Sequence, residues 1–339
     1  MLLSVLSACA SRKVSDVSLD ELTMMETLHD PYLADNSATN LFDIVNHRRG
    51  GFIDDRVEED YRFEYYEENI QKTLPMDPEE WDITDFVLTE ECLFYLAEES
   101  WYWREYLDSQ NEQREWKHCL YSYRDGTSTL LAENVAAFCW DSERIVYCDY
   151  DGNVYALKED SQPEFLFCNP DRSSDPDKQF YDCILLATPD WVVLGHSWVE
   201  DSYVFRTKDR SLSQYKRISE VHGAESFIFR DWLILWGESD QGAQVLDLTT
   251  GQIKPIDLQI NSHEHNTGAA ACVYQGKLII SCEILPWRHI TKTTLRGTYV
   301  LNCETQTVEK IDDFFYPTLI ATEDRLFGVG EHGEVYDVF

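Results

Sequence analysis

Apolar residues recur along this chain in short alternating runs, and the runs come in pairs. Six stretches share one form, an apolar strand, a tight polar turn and a second apolar strand: FVLTEECLFYLAEE from Phe86, AFCWDSERIVYCDY from Ala137, ILLATPDWVVLGHS from Ile184, FIFRDWLILWGES from Phe227, ACVYQGKLIISCE from Ala271 and LIATEDRLFGVGE from Leu319. Period-two alternation rich in β-branched and aromatic residues predicts strands, because successive side chains of an extended chain face opposite sides of a sheet. A third run follows each pair, at CLYSYR from Cys119, VYALK from Val154, YVFRT from Tyr203, QVLDL from Gln244, YVLNC from Tyr299 and VYDVF from Val335. A fourth, more polar run closes the first five units: STLLA from Ser128, EFLFC from Glu164, QYKRI from Gln214, IKPIDL from Ile253 and VEKIDD from Val308.

With Leu93, Ile145, Val192, Leu233, Leu278 and Leu326 as equivalent positions, the repeat is 41 to 52 residues long. That length suits one four-stranded blade of a β-propeller. The spacing predicts an all-β fold, a six-bladed β-propeller of four-stranded antiparallel blades. The sixth unit lacks a fourth strand before Phe339, and an unpaired edge is an aggregation hazard. Ile70-Gln71-Lys72-Thr73-Leu74-Pro75 is similar to IKPIDL and VEKIDD, so a strand near Ile70–Leu74 is expected to complete the last blade and close the ring. The propeller domain then spans 52–339, and residues 1–51 are read as a leader followed by a tether or by a segment packed on the ring, with Ser18 able to cap a short helix along Leu19, Leu22, Met25 and Leu28.

The stretch DYDGNVYALKED, 149 to 160, carries two acids and a glycine in the manner of a calcium loop. The full run of alternating oxygen ligands is missing, and Asp151-Gly152 suits a tight connection, so the stretch reads as a turn leading into a third strand.

In a four-stranded meander the connections after strands two and four leave from one end of the sheet. Turns between strands one and two are minimal, as at Pro189-Asp190 or Gln275-Gly276, whereas the opposite end receives 100–118, 169–179, 259–268 and 283–297. Binding residues concentrate on long loops held by a rigid scaffold. His118, His196, His222, His263, His265, His289 and His332, seven of the nine histidines, fall in or beside that end, with Trp101, Trp103, Trp116, Trp198 and Trp287.

Three readings of this face stay open. Aromatic platforms and polar neighbours would bind a glycan, peptide or protein, with Trp101, Trp103, Trp198, His196, Trp287, Arg288 and His289 as candidate contacts. His263 and His265 with Glu264, joined by His196 or His289, would hold a transition metal, a task that imidazole suits. Otherwise the side chains only cap the scaffold. No nucleophile elbow, phosphate loop, dinucleotide fingerprint or sialidase-type aspartate box is present, no cofactor is implied, and no catalytic residue is assigned. The alternative is a propeller hydrolase or lyase using a carboxylate or histidine near the mouth of the channel.

The blade pattern over about residues 52 to 339 resembles the six-bladed β-propellers of bacterial surface proteins and lipoproteins. VLDLTTGQI (245 to 253) and DGNVYAL also resemble the blades of quinone-dependent dehydrogenases, in phrases that encode strands and turns. Leu6-Ser7-Ala8-Cys9 resembles a lipobox, which implies a lipidated Cys9 and a membrane-anchored, extracytoplasmic protein.

Charge narrows the partners. With 63 acidic against 28 basic residues the formal charge is −35, which repels nucleic-acid phosphates and anionic membrane surfaces. No nucleic-acid partner is expected, membrane contact is expected only through an N-terminal lipid, and a monomer is expected. Ten cysteines form no CxxC pair. Most sit in apolar runs, where a thiol behaves as a small hydrophobe, and this usage suits a reducing setting, so a cytoplasmic location is the alternative.

Overall fold

The computed structural model of the chain describes residues 12–14, 17, 32–35, 81–89, 92–99, 118–158, 161–170, 183–196, 201–216, 225–236, 243–256, 264–286, 295–330 and 334–338. Every regular element among them is a β-strand. Two short strands come first, β1 (Arg12–Lys13) and β2 (Leu33–Asp35). The remaining strands form six antiparallel sheets in strict chain order, which makes the fold all-β and propeller-like. They fall into two compact units, Asp60–Lys216 and Met1–Glu59 with Arg217–Phe339.

The first unit holds three sheets of four strands. They are β3 (Trp81–Leu88) to β4 (Leu93–Glu99), β5 (His118–Arg124) and β6 (Thr127–Glu133); β7 (Val135–Trp140) to β8 (Ile145–Asp149), β9 (Asn153–Leu157) and β10 (Glu164–Cys168); and β11 (Cys183–Ala187) to β12 (Trp191–His196), β13 (Asp201–Arg206) and β14 (Ser211–Lys216). The sheets stack through side chains of alternating parity. Val154, Leu166 and Phe167 of the second sheet pack on Val192, Leu194 and Phe205 of the third, and the Phe167 and Phe205 rings stack at 5.1 Å. Leu96 and Leu120 of the first sheet meet Val135, Ile145 and Tyr147 of the second. Burying one such side chain stabilises the fold by about 1.5–3 kcal/mol, which is why the apolar period dominates the sequence. The second sheet's outer edge is also covered: Arg210 donates to the Phe165 carbonyl and to Glu164 Oε1, both at 2.6 Å, which occupies a carbonyl that a foreign strand would otherwise use.

The second unit holds β15 (Glu225–Phe229) to β16 (Trp232–Trp236), β17 (Gln244–Asp247) and β18 (Ile253–Pro255); β19 (Glu264–Tyr274) to β20 (Lys277–Pro286), β21 (Leu295–Asn302) and β22 (Thr307–Asp312); and β23 (Thr318–Ala321) to β24 (Leu326–Val329) and β25 (Val335–Asp337). Phe227, Ile234 and Val245 pack on Ile280, Tyr299 and Leu301, and Cys272 and Ile279 pack on Leu319 and Leu326.

One expectation about the amino-terminal region needs correction. The place beside β25 is taken by β1, with Arg12 opposite Asp337 and Lys13 opposite Tyr336, and not by the segment at Ile70–Leu74, which lies outside the described residues. Strand addition is a backbone affair and any short extended segment can supply it. What selects residues 12–17 is burial: Val14 and Val17 pack against Ile320, Phe327, Val329 and Val335. Within residues 1–51, read as a tether or as a packed segment, the described residues include β1, paired with β25, and β2, paired with β15.

The first hairpin of each sheet turns as tightly as its sequence suggests. In four of them one polar residue closes the turn twice, through its own amide and through its side chain. Thr89, Asp141, Thr188 and Thr322 donate N–H to the carbonyls of Cys92, Arg144, Trp191 and Arg325, whose amides return to the Thr hydroxyl or the Asp carboxylate. In a fifth, Gln275 and Gly276 both have positive φ, 50° and 74°, as a two-residue hairpin between right-twisted strands requires.

Candidate functional site

Antiparallel pairing places the connections that follow second and fourth strands at one end of each sheet. The tight first-hairpin turns lie at the other end. Residues 100–117 join β4 to β5, 171–182 fall between β10 and β11, and 287–294 join β20 to β21. The asymmetry of connection length read from the sequence is present at these three connections, whereas at the same end β6 joins β7 through Asn134 and β8 joins β9 through the tight turn 150–152. One boundary moves: β19 begins at Glu264 and β20 runs to Pro286, so 264–268 and 283–286, assigned to loops, extend a hairpin instead.

Most proposed contacts lie outside the described residues, namely Trp101, Trp103, Trp198, Trp287, Arg288 and His289, together with His263 and the lipidation candidate Cys9. His196 ends β12, where it pairs with Cys183. His265 lies in the extended part of β19, opposite Leu285. Among the described residues no group of three or more His, Cys, Asp or Glu side chains is arranged to hold a metal ion.

The end of the first unit that carries the long connections does assemble one polar cluster. His118 opens β5 directly after the 100–117 connection and is only 5% exposed. Its cross-strand partner is Glu98, whose Oε2 lies 3.2 Å from His118 Nδ1. Tyr150, from the turn between β8 and β9 of the next sheet, places its hydroxyl 3.0 Å from the same Nδ1, with the two rings edge to face at 4.8 Å. One ring nitrogen thus meets two oxygens. A proton on Nδ1 is shared between the Glu98 carboxylate and the Tyr150 oxygen; without it, the tyrosine O–H donates to the nitrogen. Either state fixes the ring orientation and ties neighbouring sheets together. A histidine oriented by a carboxylate is also the arrangement that general acid–base chemistry uses.

The sequence marks His118 only as one of several loop histidines. Glu98 and Tyr150 are remote from it along the chain, and nothing in the pattern of 63 acids distinguishes Glu98. Cross-strand register makes the cluster, and register is a property of the paired sheet.

The DYDGNVYALKED stretch resolves as scaffold. Asp149 Oδ1 accepts the Asn153 amide at 2.8 Å, Asp149 Oδ2 accepts Asn153 Nδ2 at 2.9 Å, and Gly152, at φ 77°, donates to the Asp149 carbonyl at 2.9 Å. Both carboxylate oxygens serve the turn.

The second unit has a buried polar corner. Ser281 Oγ accepts from Thr298 Oγ1 at 3.1 Å and from the Tyr316 amide at 2.7 Å, while Tyr316 donates its hydroxyl to Asp312 Oδ2 at 2.8 Å. Asp312 Oδ1 accepts the Phe314 amide at 3.1 Å. These groups satisfy one another, as buried polar groups must, and the corner reads as the joint between β22 and β23.

No family profile and no curated protein sequence matches the chain. Solved structures do. BamB from Moraxella catarrhalis is similar at 9% identity and a TM-score of 0.38, over 75% of this chain and 71% of that one. The dihydro-heme d1 dehydrogenase NirN in complex with DHE is similar at 13% identity and 0.40, over 64% of this chain and 49% of that one. The Pyrococcus horikoshii acylaminoacyl peptidase is similar at 8% identity and 0.44, over 76% of this chain and 46% of that one. The chain thus matches about half the length of the latter two. At these identities and TM-scores no activity, ligand or partner passes to this chain.

Proposed function

We propose that this protein is a non-enzymatic binding propeller that takes a glycan, peptide or protein ligand on the face carrying its long connections. The observation that supports the reading is the division of connections within the sheets. First hairpins close in a few residues, while 100–117, 171–182 and 287–294 all leave from the other end. In this reading Trp101, Trp103, Trp198, His196, Trp287, Arg288 and His289 make the contacts, because rigid aromatic side chains give contact area at little entropic cost. The lipobox-like Leu6–Cys9 places the molecule outside the cytoplasm with Cys9 lipidated, and six blades form a single monomeric ring. A glycan and peptide array probed with the unaltered chain and with a Trp101→Ala, Trp287→Ala double variant tests the binding face. Equal retention by both removes these residues. Elemental analysis tests a transition metal at His263 and His265, and absence of stoichiometric metal ends that reading.

The Glu98, His118 and Tyr150 cluster favours a second reading, a hydrolase or lyase. Its test is a panel of ester, glycoside and uronide substrates against the unaltered chain and His118→Gln. Turnover that His118→Gln abolishes, with the thermal midpoint little changed, supports catalysis; turnover that survives the substitution rejects His118 as its base.

A further inference from the structure

Among the described residues five sheets contain four strands, and the sheet built on β15 contains five. The extra strand is β2, laid along an edge of β15 that no other described strand pairs with, with Leu33 opposite Phe229, Ala34 opposite Ile228 and Asp35 opposite Phe227. The Arg230 amide donates to the Tyr32 carbonyl at 2.8 Å. Because hydrogen-bonded pairs alternate along an antiparallel ladder, that bond makes Ala34 and Ile228 the next pair to exchange both of theirs.

The repeat does not require β2. Sheets grown from the same unit are complete with four strands, so β2 covers an edge without completing a sheet. It is three residues long and is held by backbone pairing, by Leu33 packed against the cluster around Phe229, and by a buried Ala34. Tyr32, just before it, is 40% exposed. An edge with free N–H and C=O groups is a template for another strand, and proteins that capture extended peptides use such edges, with alternate side chains supplying selectivity.

We propose that the β15 edge is a peptide-accepting site which residues 32–35 fill in cis, and that its partner is an extended segment presenting a branched apolar residue followed by a small one. The Leu33 position selects the first and the Ala34 position the second. The chain's own segment competes through the high effective concentration that tethering confers, so a partner strand gains access when β2 lifts away. This site is separate from the long-connection face and stands or falls independently of it.

The test uses the full chain. Ala34→Pro removes the N–H that faces Ile228 and is not tolerated within a ladder. A fluorescent peptide with the sequence of residues 30–36, Asp-Pro-Tyr-Leu-Ala-Asp-Asn, is expected to bind the Ala34→Pro chain at least about tenfold more tightly than the unaltered one, and a scrambled peptide is expected not to bind. Hydrogen exchange supplies a readout that does not depend on the variant: in the unaltered chain the Ile228 amide should exchange at least about tenfold faster than that of Ile234, and added peptide should slow it in Ala34→Pro. Equal exchange at Ile228 and Ile234, an affinity unchanged by the substitution, or equal binding of the scrambled peptide overturns the proposal.

Discussion

Lys13 is the cross-strand partner of Tyr336, so residues from opposite ends of the chain share one sheet. The pairing continues as the Val14 amide donates to the Val335 carbonyl at 2.9 Å, and Val17, 8% exposed, seals the junction against Phe327 and Val329. Val17→Ala is expected to cost about 1–2 kcal/mol and Val17→Asp about 3 kcal/mol, since the latter buries a charge among apolar side chains. Urea denaturation measures both. A Val17→Asp protein as stable as the parent would show that this segment is not docked.

Asp141 has a fully buried side chain that accepts three hydrogen bonds and makes one further ion-pair contact. Its Oδ1 takes the amides of Glu143 at 3.0 Å and Arg144 at 2.7 Å, and its Oδ2 takes the Arg144 guanidinium at 2.9 Å and 2.8 Å. Asp141→Ala strands two amides and leaves the partly buried Arg144 guanidinium with only the longer 3.9 Å contact to Glu164. The expected loss is about 2–4 kcal/mol, with Asp141→Asn intermediate, measured by the denaturant midpoint at constant m-value.

Gly328 lies under the ring of Tyr316. A Cβ there would stand 2.4 Å from Tyr316 Cγ, and the ring, 1% exposed and bonded to Asp312, has nowhere to move. Gly328→Ala is therefore expected to destabilise the protein by about 2–3 kcal/mol through overpacking. Combining it with Tyr316→Leu should recover part of that loss, and calorimetric midpoints of the four proteins give the coupling.

Alkaline pH should unfold the protein earlier than its acidic composition suggests. Burial pushes the hydroxyls of Tyr95 and Tyr147 up from 10.0 to about 12, and the Cys303 thiol up from 9.0 to about 12. Burial likewise raises Cys139, while Cys148 is raised first by its hydrogen bond with Cys183 and then by burial. These groups stay neutral in the fold and ionise more readily when unfolded. Their contribution is full below about pH 9 and is lost as pH climbs from there toward 12. Thermal midpoints at pH 8, 9.5 and 11 should fall in that order. The buried thiols of Cys148 and Cys303 should react with an aromatic disulfide reagent only on unfolding.

Much of this was written in the chain. The run from Cys119 falls within β5, and those from Val154 and Gln214 overlap β9 and β14, because a side chain that must alternate between a packed face and its opposite leaves a period-two trace. The turn at Asp149 to Asn153 was legible for a related reason, since a glycine at positive φ and an aspartate at the start of a turn act on their immediate neighbours. By contrast, the choice of β1 as the last sheet's fourth strand left no distinctive residue type, because main-chain hydrogen bonds do not read side chains.

Local periodicity by itself determined that the fold is all-β, that the strands from β3 onward group into successive antiparallel sheets and that their first hairpins are short, since each depends on residues within one repeat. Only tertiary structure decided that Val17 fixes the amino-terminal segment to the last sheet, that β2 covers the β15 edge, and that His118 lies between Glu98 and Tyr150. Those contacts join residues far apart in sequence, and the free energy that selects them comes from burial and register after the sheets have formed.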